Sequence, residues 1–376
     1  MNKHGKIPAV FMRGGTSKAL MFHERDLPAD RSAWDAIFLA AMGSPDPNGR
    51  QLNGMGGGVT SVSKVCVIGL PSRDDADVDY TFAQVLVKEA RVSYKGNCGN
   101  MSAAIGPFAV DEELVAAFDG EAVVRIHNTN TKKIIRATFS VMDGRAAIDG
   151  DLAIPGVAGT GSPVKLDFLD LGGADTGRLL PTGNVVDRLS VDGLGEVEVS
   201  IVDAANPCVF IDATSLGMSG VEMPELLERD AVTMEKLISI GAHAAIAMGF
   251  TGNAQEARKR LPLIGVVTSP QDNPTLSGEV VPSASADLVV RMLSSGQPHR
   301  ALPVTGSICA AVAARIPGTI PHRLAQTTGG AAVRLAMPSG VITVDASVHD
   351  DAGTWRAGHG TVFRTARRLF DGSVYF

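Results

Sequence analysis

Across 376 residues the chain has two tryptophans, three tyrosines and four cysteines, and it has no apolar run near the roughly 20 residues that span a bilayer. The cysteines, at 66, 98, 208 and 309, are far apart and form no CxxC pair. That spacing fits reduced thiols better than a disulfide framework or a zinc site, and no metal is expected. Basic blocks are also missing: 34 Lys and Arg are dispersed among 40 Asp and Glu, for a net charge of −6. Nucleic acid and membrane surfaces are therefore poor partners. No Rossmann fingerprint, nucleotide loop, HExxH or G-x-S-x-G elbow occurs, so no cofactor is expected. Met1-Asn-Lys-His-Gly-Lys-Ile-Pro runs straight into a strand pattern without an apolar leader, so a cytoplasmic protein is expected.

What is present is 45% apolar residues, 20% charge and 42 glycines. A chain of this length is too long for one ordinary core, and two domains of about 150 to 200 residues are expected. The most informative stretch is Tyr94-Lys-Gly-Asn-Cys98-Gly-Asn100-Met-Ser-Ala-Ala-Ile, where an alternating strand pattern ends and a helical one begins. It aims a thiol and several backbone N–H groups into one small volume. N–H groups at a helix start attract anions, and the same local field favours a thiolate.

Earlier in the chain, Arg13-Gly-Gly-Thr-Ser-Lys18 makes a tight, polar turn after the strand Ile7–Met12. It suits an anion, although an ordinary turn facing solvent also fits. Four glycines within Gly54–Gly58 precede a buried strand that carries Lys64 among Val62, Val65, Val67 and Ile68. Such a lysine is either dry enough to act as a base or an edge residue reaching water. Cys66, two residues on, shares its face. The acidic cluster Asp74, Asp75, Asp77 and Asp79 lacks a calcium-loop pattern and reads as a solvated turn. Helices are expected at Ser32–Met42, Met101–Ala109, Glu228–Met248 and Ser285–Leu293. In the second half, His299-Arg-Ala-Leu-Pro-Val-Thr305-Gly-Ser307 opens into another small-residue helix, echoing the first half. Two such helix starts facing each other would form a positively polarised cleft for a small polycarboxylate. Cys309 is expected in the core, and the tail strands are expected to complete the first domain's sheet.

One lysine, one thiol and scattered hydroxyl, amide and guanidinium donors suit proton transfer at a carbon beside a carboxylate. Met12-Arg-Gly-Gly-Thr-Ser-Lys18, Met42-Gly-Ser-Pro45, Gly56-Gly57 with Ser63-Lys64, Asp77-Val-Asp-Tyr80, Asn97-Cys-Gly-Asn100, Gly106-Pro-Phe108, Pro181-Thr-Gly-Asn184 and Arg364-Thr-Ala-Arg367 together resemble the 2-methylaconitate isomerase (PrpF-like) family. That family includes methylitaconate Δ-isomerases and 4-oxalomesaconate tautomerases. The resemblance runs from about residue 7 to the end.

It implies an α/β diaminopimelate-epimerase-like fold: two pseudo-symmetric domains, each with β-sheet wrapped around a central helix, and an active site in the interdomain cleft. The expected domains are 1–183 plus 345–376, carrying Lys64 and Cys98, and 184–344. The resemblance also implies cofactor-free 1,3-allylic proton transfer on an unsaturated di- or tricarboxylic acid, with Lys64 and Cys98 catalytic. Arg13, Thr16, Ser17, Lys18, Asn97, Gly99, Asn100 and Thr182 are the expected substrate contacts, with Arg300, Thr305, Gly306 and Ser307 from the second domain. Related epimerases and racemases use one thiol from each domain. Here the second position falls near Val304 or Thr305, which favours Lys64 as the partner of Cys98. Tautomerase members carry Thr-Ser-Lys at the lysine and His-Arg-x-His-Ala later. This chain has Val62-Ser-Lys64 and Pro298-His-Arg-Ala-Leu-Pro303, which places methylaconitate, methylitaconate or aconitate ahead of oxalomesaconate. An amino-acid racemase and a non-enzymatic carboxylate binder are the other readings. The expected partner is a small polycarboxylate, and a homodimer is left open.

Overall fold

The computed structural model describes residues 5–294, 296–327 and 332–376. They form two compact units, one of residues 1–167 with 363–376 and one of residues 168–362. These junctions lie at 167/168 and 362/363, where 183/184 and 344/345 were expected. Residues 171–179 side with the second unit because their backbone bonds there: Gly173 N–H donates to Asp203 O, and Asp203 N–H to Leu179 O. Strand Gly340–Asp351 likewise pairs with Val333–Met337.

In the first unit one continuous series of strands can be followed. Ala366–Tyr375 pairs antiparallel with Lys6–Gly14, which forms a hairpin with Ser17–His23. Of the tail strands expected to complete this sheet, Ala366–Tyr375 does so, whereas the one around Val341–Val344 lies in the second unit. Ser17–His23 runs parallel to Lys64–Gly69, which pairs antiparallel with Val78–Val85. Val78–Val85 continues parallel to Gly120–Asn128, and that strand pairs antiparallel with Lys133–Met142.

Side chains alternate across these strands, so each strand feeds two layers. Ala9, Phe11, Leu20, Phe22, Val65, Val67, Ala83 and Val85 pack against Trp34, Ile37 and Phe38 of helix Trp34–Met42. The other face meets helix Gly99–Asp111, which is buried at every position from Gly99 to Val110 and touches six of the seven strands. Its Gly, Ala and Ser residues allow that approach: a Cβ on Gly106 would stand 2.7 Å from the Phe139 ring. Pro107 lies inside this helix, which runs two residues further at each end than expected.

The second unit has a strand series of its own. Its strands pair in the series Asp187–Val191, Gly195–Ala204, Asn206–Asp212, Leu263–Thr268, Leu288–Ser294, Val333–Met337 and Gly340–Asp351. Helix Val304–Ala314 is wholly buried, and the longer helix Ala231–Ala247 packs its apolar stripe on Val199, Ile201, Val209, Ile211, Ile264 and Val266. The helix expected at Ser285–Leu293 is instead the strand Leu288–Ser294, preceded by a short 3-10 turn. Leu288-Val-Val-Arg-Met-Leu293 carries two adjacent β-branched residues and is hydrogen-bonded on both sides, so sheet pairing overrides its helical spacing.

The acidic cluster is also more engaged than a solvated turn. Asp77 pairs with Arg125, while Asp79 accepts from Ser72 N–H and bonds the His127 ring at 2.9 Å.

Candidate active site

Strand Lys64–Gly69 pairs residue for residue with its neighbours, setting Lys64 opposite Ala19 on one side and Gln84 on the other. Lys64 is 8% exposed. Its Nζ donates to Gln84 Oε1 at 2.5 Å and lies 5.0 Å from the centre of the Phe82 ring, whose face attracts a cation. Gln84 is itself held: its Nε2 donates to the carbonyls of Thr60, Ser63 and Val85. With the amide nitrogen so occupied, Oε1 is the atom left to face the ammonium.

The glycine-rich loop before Lys64 folds onto one side chain. Gln51 Oε1 accepts from Gly58 N–H and Ser63 Oγ. A Cβ on Gly56 would stand 2.3 Å from Gln51 atoms, so that glycine permits the closure.

Cys98 is the N-cap of helix Gly99–Asp111, in an extended conformation, and its carbonyl accepts the Ser102 N–H at 3.0 Å. The thiol makes no capping bond, and the first turn holds no acidic residue to offset the helix N-terminus. Cys98 is 9% exposed, and its Sγ lies 3.9 Å from Ser17 Oγ. Ser17 precedes Ala19 by two residues, so it shares the face of the sheet that carries Lys64. Cys66 ties the two candidates together. This buried thiol donates to the Tyr80 hydroxyl at 3.8 Å and lies within electrostatic range of both Cys98 and Lys64. Burial first, then Cys98, pushes its pKa up, so Cys66 remains a neutral thiol.

Around the helix start, Asn97 Oδ1 accepts from Ser102 Oγ and Asn128 Nδ2. Asn100 Oδ1 accepts from Thr16 N–H at 3.4 Å and from Arg364 Nε at 3.2 Å, while its Nδ2 donates to Thr16 Oγ1 at 3.1 Å. Cys98, Ser17, Thr16, Asn97, Gly99 and Asn100 are thus grouped at the helix start, and Lys64 lies on the sheet face that carries Ser17.

Arg13 and Lys18 are not part of that group. They face each other across the hairpin, on the sheet surface opposite Lys64 and Ser17. Lys18 Nζ lies over the Phe11 ring, and Arg13 Nη1 holds the carbonyls of Gly15 and Thr365. Burial and then the nearby Arg367 push the Arg13 pKa down.

In the second unit, the expected contacts have partners of their own. The Thr182 hydroxyl donates to Asp187 at 2.8 Å, and Arg300 forms ion pairs with Glu225 and Glu228 at 3.1 and 3.5 Å. Thr305 Oγ1 accepts from Asn206, while Ser307 Oγ donates within its helix to Pro303 O. Gly306 packs against Met292, where a Cβ would stand 2.3 Å from the sulfur. Cys309 is buried and donates to Val202 O at 3.3 Å.

Gln84 and Arg364 have no place among the sequence-derived site residues. Gln84 could have been found as the polar residue in the inward row Tyr80, Phe82, Gln84. Arg364 lies 264 residues from Asn100, and no local pattern connects them. Among the described residues no three His, Cys, Asp or Glu side chains are grouped to hold a metal ion, and no helix is long and apolar enough to cross a membrane.

Lys64 on a sheet face and Cys98 at a helix N-terminus beside Ser17 of that face are the arrangement against which relatives can be compared. The PrpF protein family model matches residues 4–376, and the chain belongs to that family. It is 42% identical to a 3-methylitaconate isomerase of Eubacterium barkeri, with 100% of this chain and 98% of the relative covered. It is 37% identical to a 2-methyl-aconitate isomerase of Cupriavidus necator, with coverages of 98% and 96%. A crystal structure of methylitaconate-delta-isomerase matches with a TM-score of 0.82 at 42% identity, covering 100% of this chain and 96% of the other. A hydroxyproline epimerase from Agrobacterium vitis shares the α/β fold at a TM-score of 0.56 and 11% identity, with coverages of 99% and 93%.

Proposed function

We propose that the protein is a cofactor-independent isomerase that transfers a proton across the allylic system of an unsaturated di- or tricarboxylic acid. 2-Methylaconitate, methylitaconate and aconitate are the favoured substrates, with 4-oxalomesaconate as the alternative. The observation that carries this reading is that the Cys98 thiol, at a helix start, lies beside Ser17 on the same sheet face as Lys64.

Lys64 and Cys98 are the two proton carriers in this reading. One removes the proton from the carbon next to the double bond, and the C–H electron pair becomes the new double bond. The old double bond takes a proton at its far carbon from the other group. Between the two steps the charge spreads into the adjacent carboxylate, where the free N–H groups of the helix start and the hydroxyls of Thr16 and Ser17 stabilise it. A buried setting strengthens each of these contacts.

The finer architecture belongs to the same proposal. It comprises two pseudo-symmetric domains, each with sheet around a central helix, and an interdomain cleft in which Thr182, Arg300, Thr305, Gly306 and Ser307 receive a second carboxylate. So does a cytoplasmic homodimer whose partner is a small acid, with no nucleic acid involved. A racemase using two thiols is disfavoured because Cys309 is spent in the core of the second unit beside Cys208.

The test is an NMR screen of methylaconitate, cis-aconitate, methylitaconate and oxalomesaconate in heavy water. The expected result is isomerisation of at least one acid with deuterium appearing at its allylic carbon. No turnover and no exchange on any of them would defeat the proposal.

A further inference from the structure

Arg364 is 5% exposed, and the described residues offer its guanidinium no carboxylate. Its two bonds run to neutral acceptors: Nη1 to the Phe363 carbonyl at 2.9 Å and Nε to Asn100 Oδ1 at 3.2 Å. Burial lowers its pKa to about 10, so it remains a cation near neutral pH. A buried cation without an anion is costly, and a bound anion relieves that cost.

The bonds around Asn100 also have a direction. Two donors, Arg364 Nε–H and Thr16 N–H, converge on Oδ1, which settles which end of the amide is oxygen. The nitrogen must then be the donor to Thr16 Oγ1, at 3.1 Å. With that oxygen already accepting, the Thr16 hydroxyl proton is free to be donated outward. The chain from Arg364 through Asn100 to Thr16 therefore ends in a donor. Gly15 makes the arrangement possible: it lies at φ +51°, and a Cβ there would stand 2.2 Å from Asn100 Oδ1 and 3.2 Å from Arg364 Cδ.

We propose that Arg364 is a positioning residue for specificity, fixing Asn100 and Thr16 as donors so that the helix start accepts an ionised carboxylate and rejects its neutral ester. The inference deepens the proposed function and rests on its substrate class.

Calorimetry with a saturated probe tests it without requiring turnover. Propane-1,2,3-tricarboxylate and its 1-monomethyl ester are titrated into the wild type and into Arg364→Gln. The wild type is expected to prefer the acid by about 10- to 100-fold, the range for a hydrogen bond to a charged group. Arg364→Gln is expected to bind the two within about 3-fold of each other, and to raise KM for the isomerised acid. Thr16→Val removes the terminal hydroxyl and leaves the arginine in place, so it covers the case in which Arg364→Gln does not fold. It is expected to lose the same preference. Undiminished preference in either folded variant overturns the inference, as does an equal loss for both probes, the mark of a structural role alone. If the wild type discriminates between the probes yet isomerises no unsaturated acid, the isomerase reading falls and the donor chain stands. If the wild type isomerises and the folded variants still discriminate, the reverse holds. Failure of the wild type to bind either probe overturns the inference, while the isomerase reading stands or falls on the exchange assay.

Discussion

Lys64 and Gln84 face each other across two antiparallel strands, and the ammonium donates to the glutamine oxygen at 2.5 Å. Three backbone carbonyls hold the Gln84 amide nitrogen, so the lysine meets an acceptor fixed in place. Gln84→Met keeps the volume and removes that anchor. It is expected to lower kcat by about 10- to 100-fold through misplacement of Lys64. It should also lower stability by about 1–3 kcal/mol, since three carbonyls lose their donor. Steady-state kinetics and thermal denaturation check the two effects separately.

The four thiols differ in access. Cys66, Cys208 and Cys309 are fully buried, whereas Cys98 retains some exposure beside the helix start. Burial also pushes Cys66 and Cys208 up, keeping both as neutral thiols at pH 8. Iodoacetamide should therefore label one cysteine per folded chain, Cys98, and four after unfolding. Peptide mass mapping reads the sites, and a bound polycarboxylate should protect.

Lys18 stands next to Ser17 in sequence and on the other side of the sheet in space. Lys18→Met is expected to leave kcat and KM within about 2-fold, and to cost up to about 1 kcal/mol from the contact with Phe11. Ser17→Ala, one residue away, should instead lower kcat. A side-by-side assay of the two variants checks the assignment of faces.

The Asp79 carboxylate is raised by burial, but hydrogen bonds from Ser72 and from His127 outweigh that effect and hold its pKa below the ordinary value. A lowered folded-state pKa stabilises the protein above the unfolded value near 3.9, and this contribution is lost as pH falls through the folded value. Asp79→Asn should therefore be less stable than the wild type at pH 7. The gap should close as pH falls below about 4. Urea denaturation across that range measures it.

Local sequence made the helix start legible: glycines, asparagines and Cys98 at the end of a strand pattern place the N-cap within a residue or two. The row Tyr80, Phe82, Gln84 needed pairing partners before its polar member acquired a meaning, because period-2 alternation does not say which face is the site. The same limit explains Arg13 and Lys18, which motif adjacency joins to Thr16 and Ser17 and strand alternation separates. Leu288–Ser294 has helix-compatible spacing and becomes a strand because two neighbours hydrogen-bond to it. Arg364 reaches Asn100 only after the tail folds back beside Lys6–Gly14, a contact no local pattern encodes.

The central claim is that Lys64 and Cys98 share one proton transfer. Its most direct measurement is allylic deuterium exchange by NMR, in heavy water, for the wild type, Lys64→Met and Cys98→Ser, each shown folded by circular dichroism. The account predicts exchange with isomerisation in the wild type, and a loss of at least about 100-fold in each variant, within the range for removing a positioned acid or base. Full exchange and isomerisation in either folded variant would contradict it.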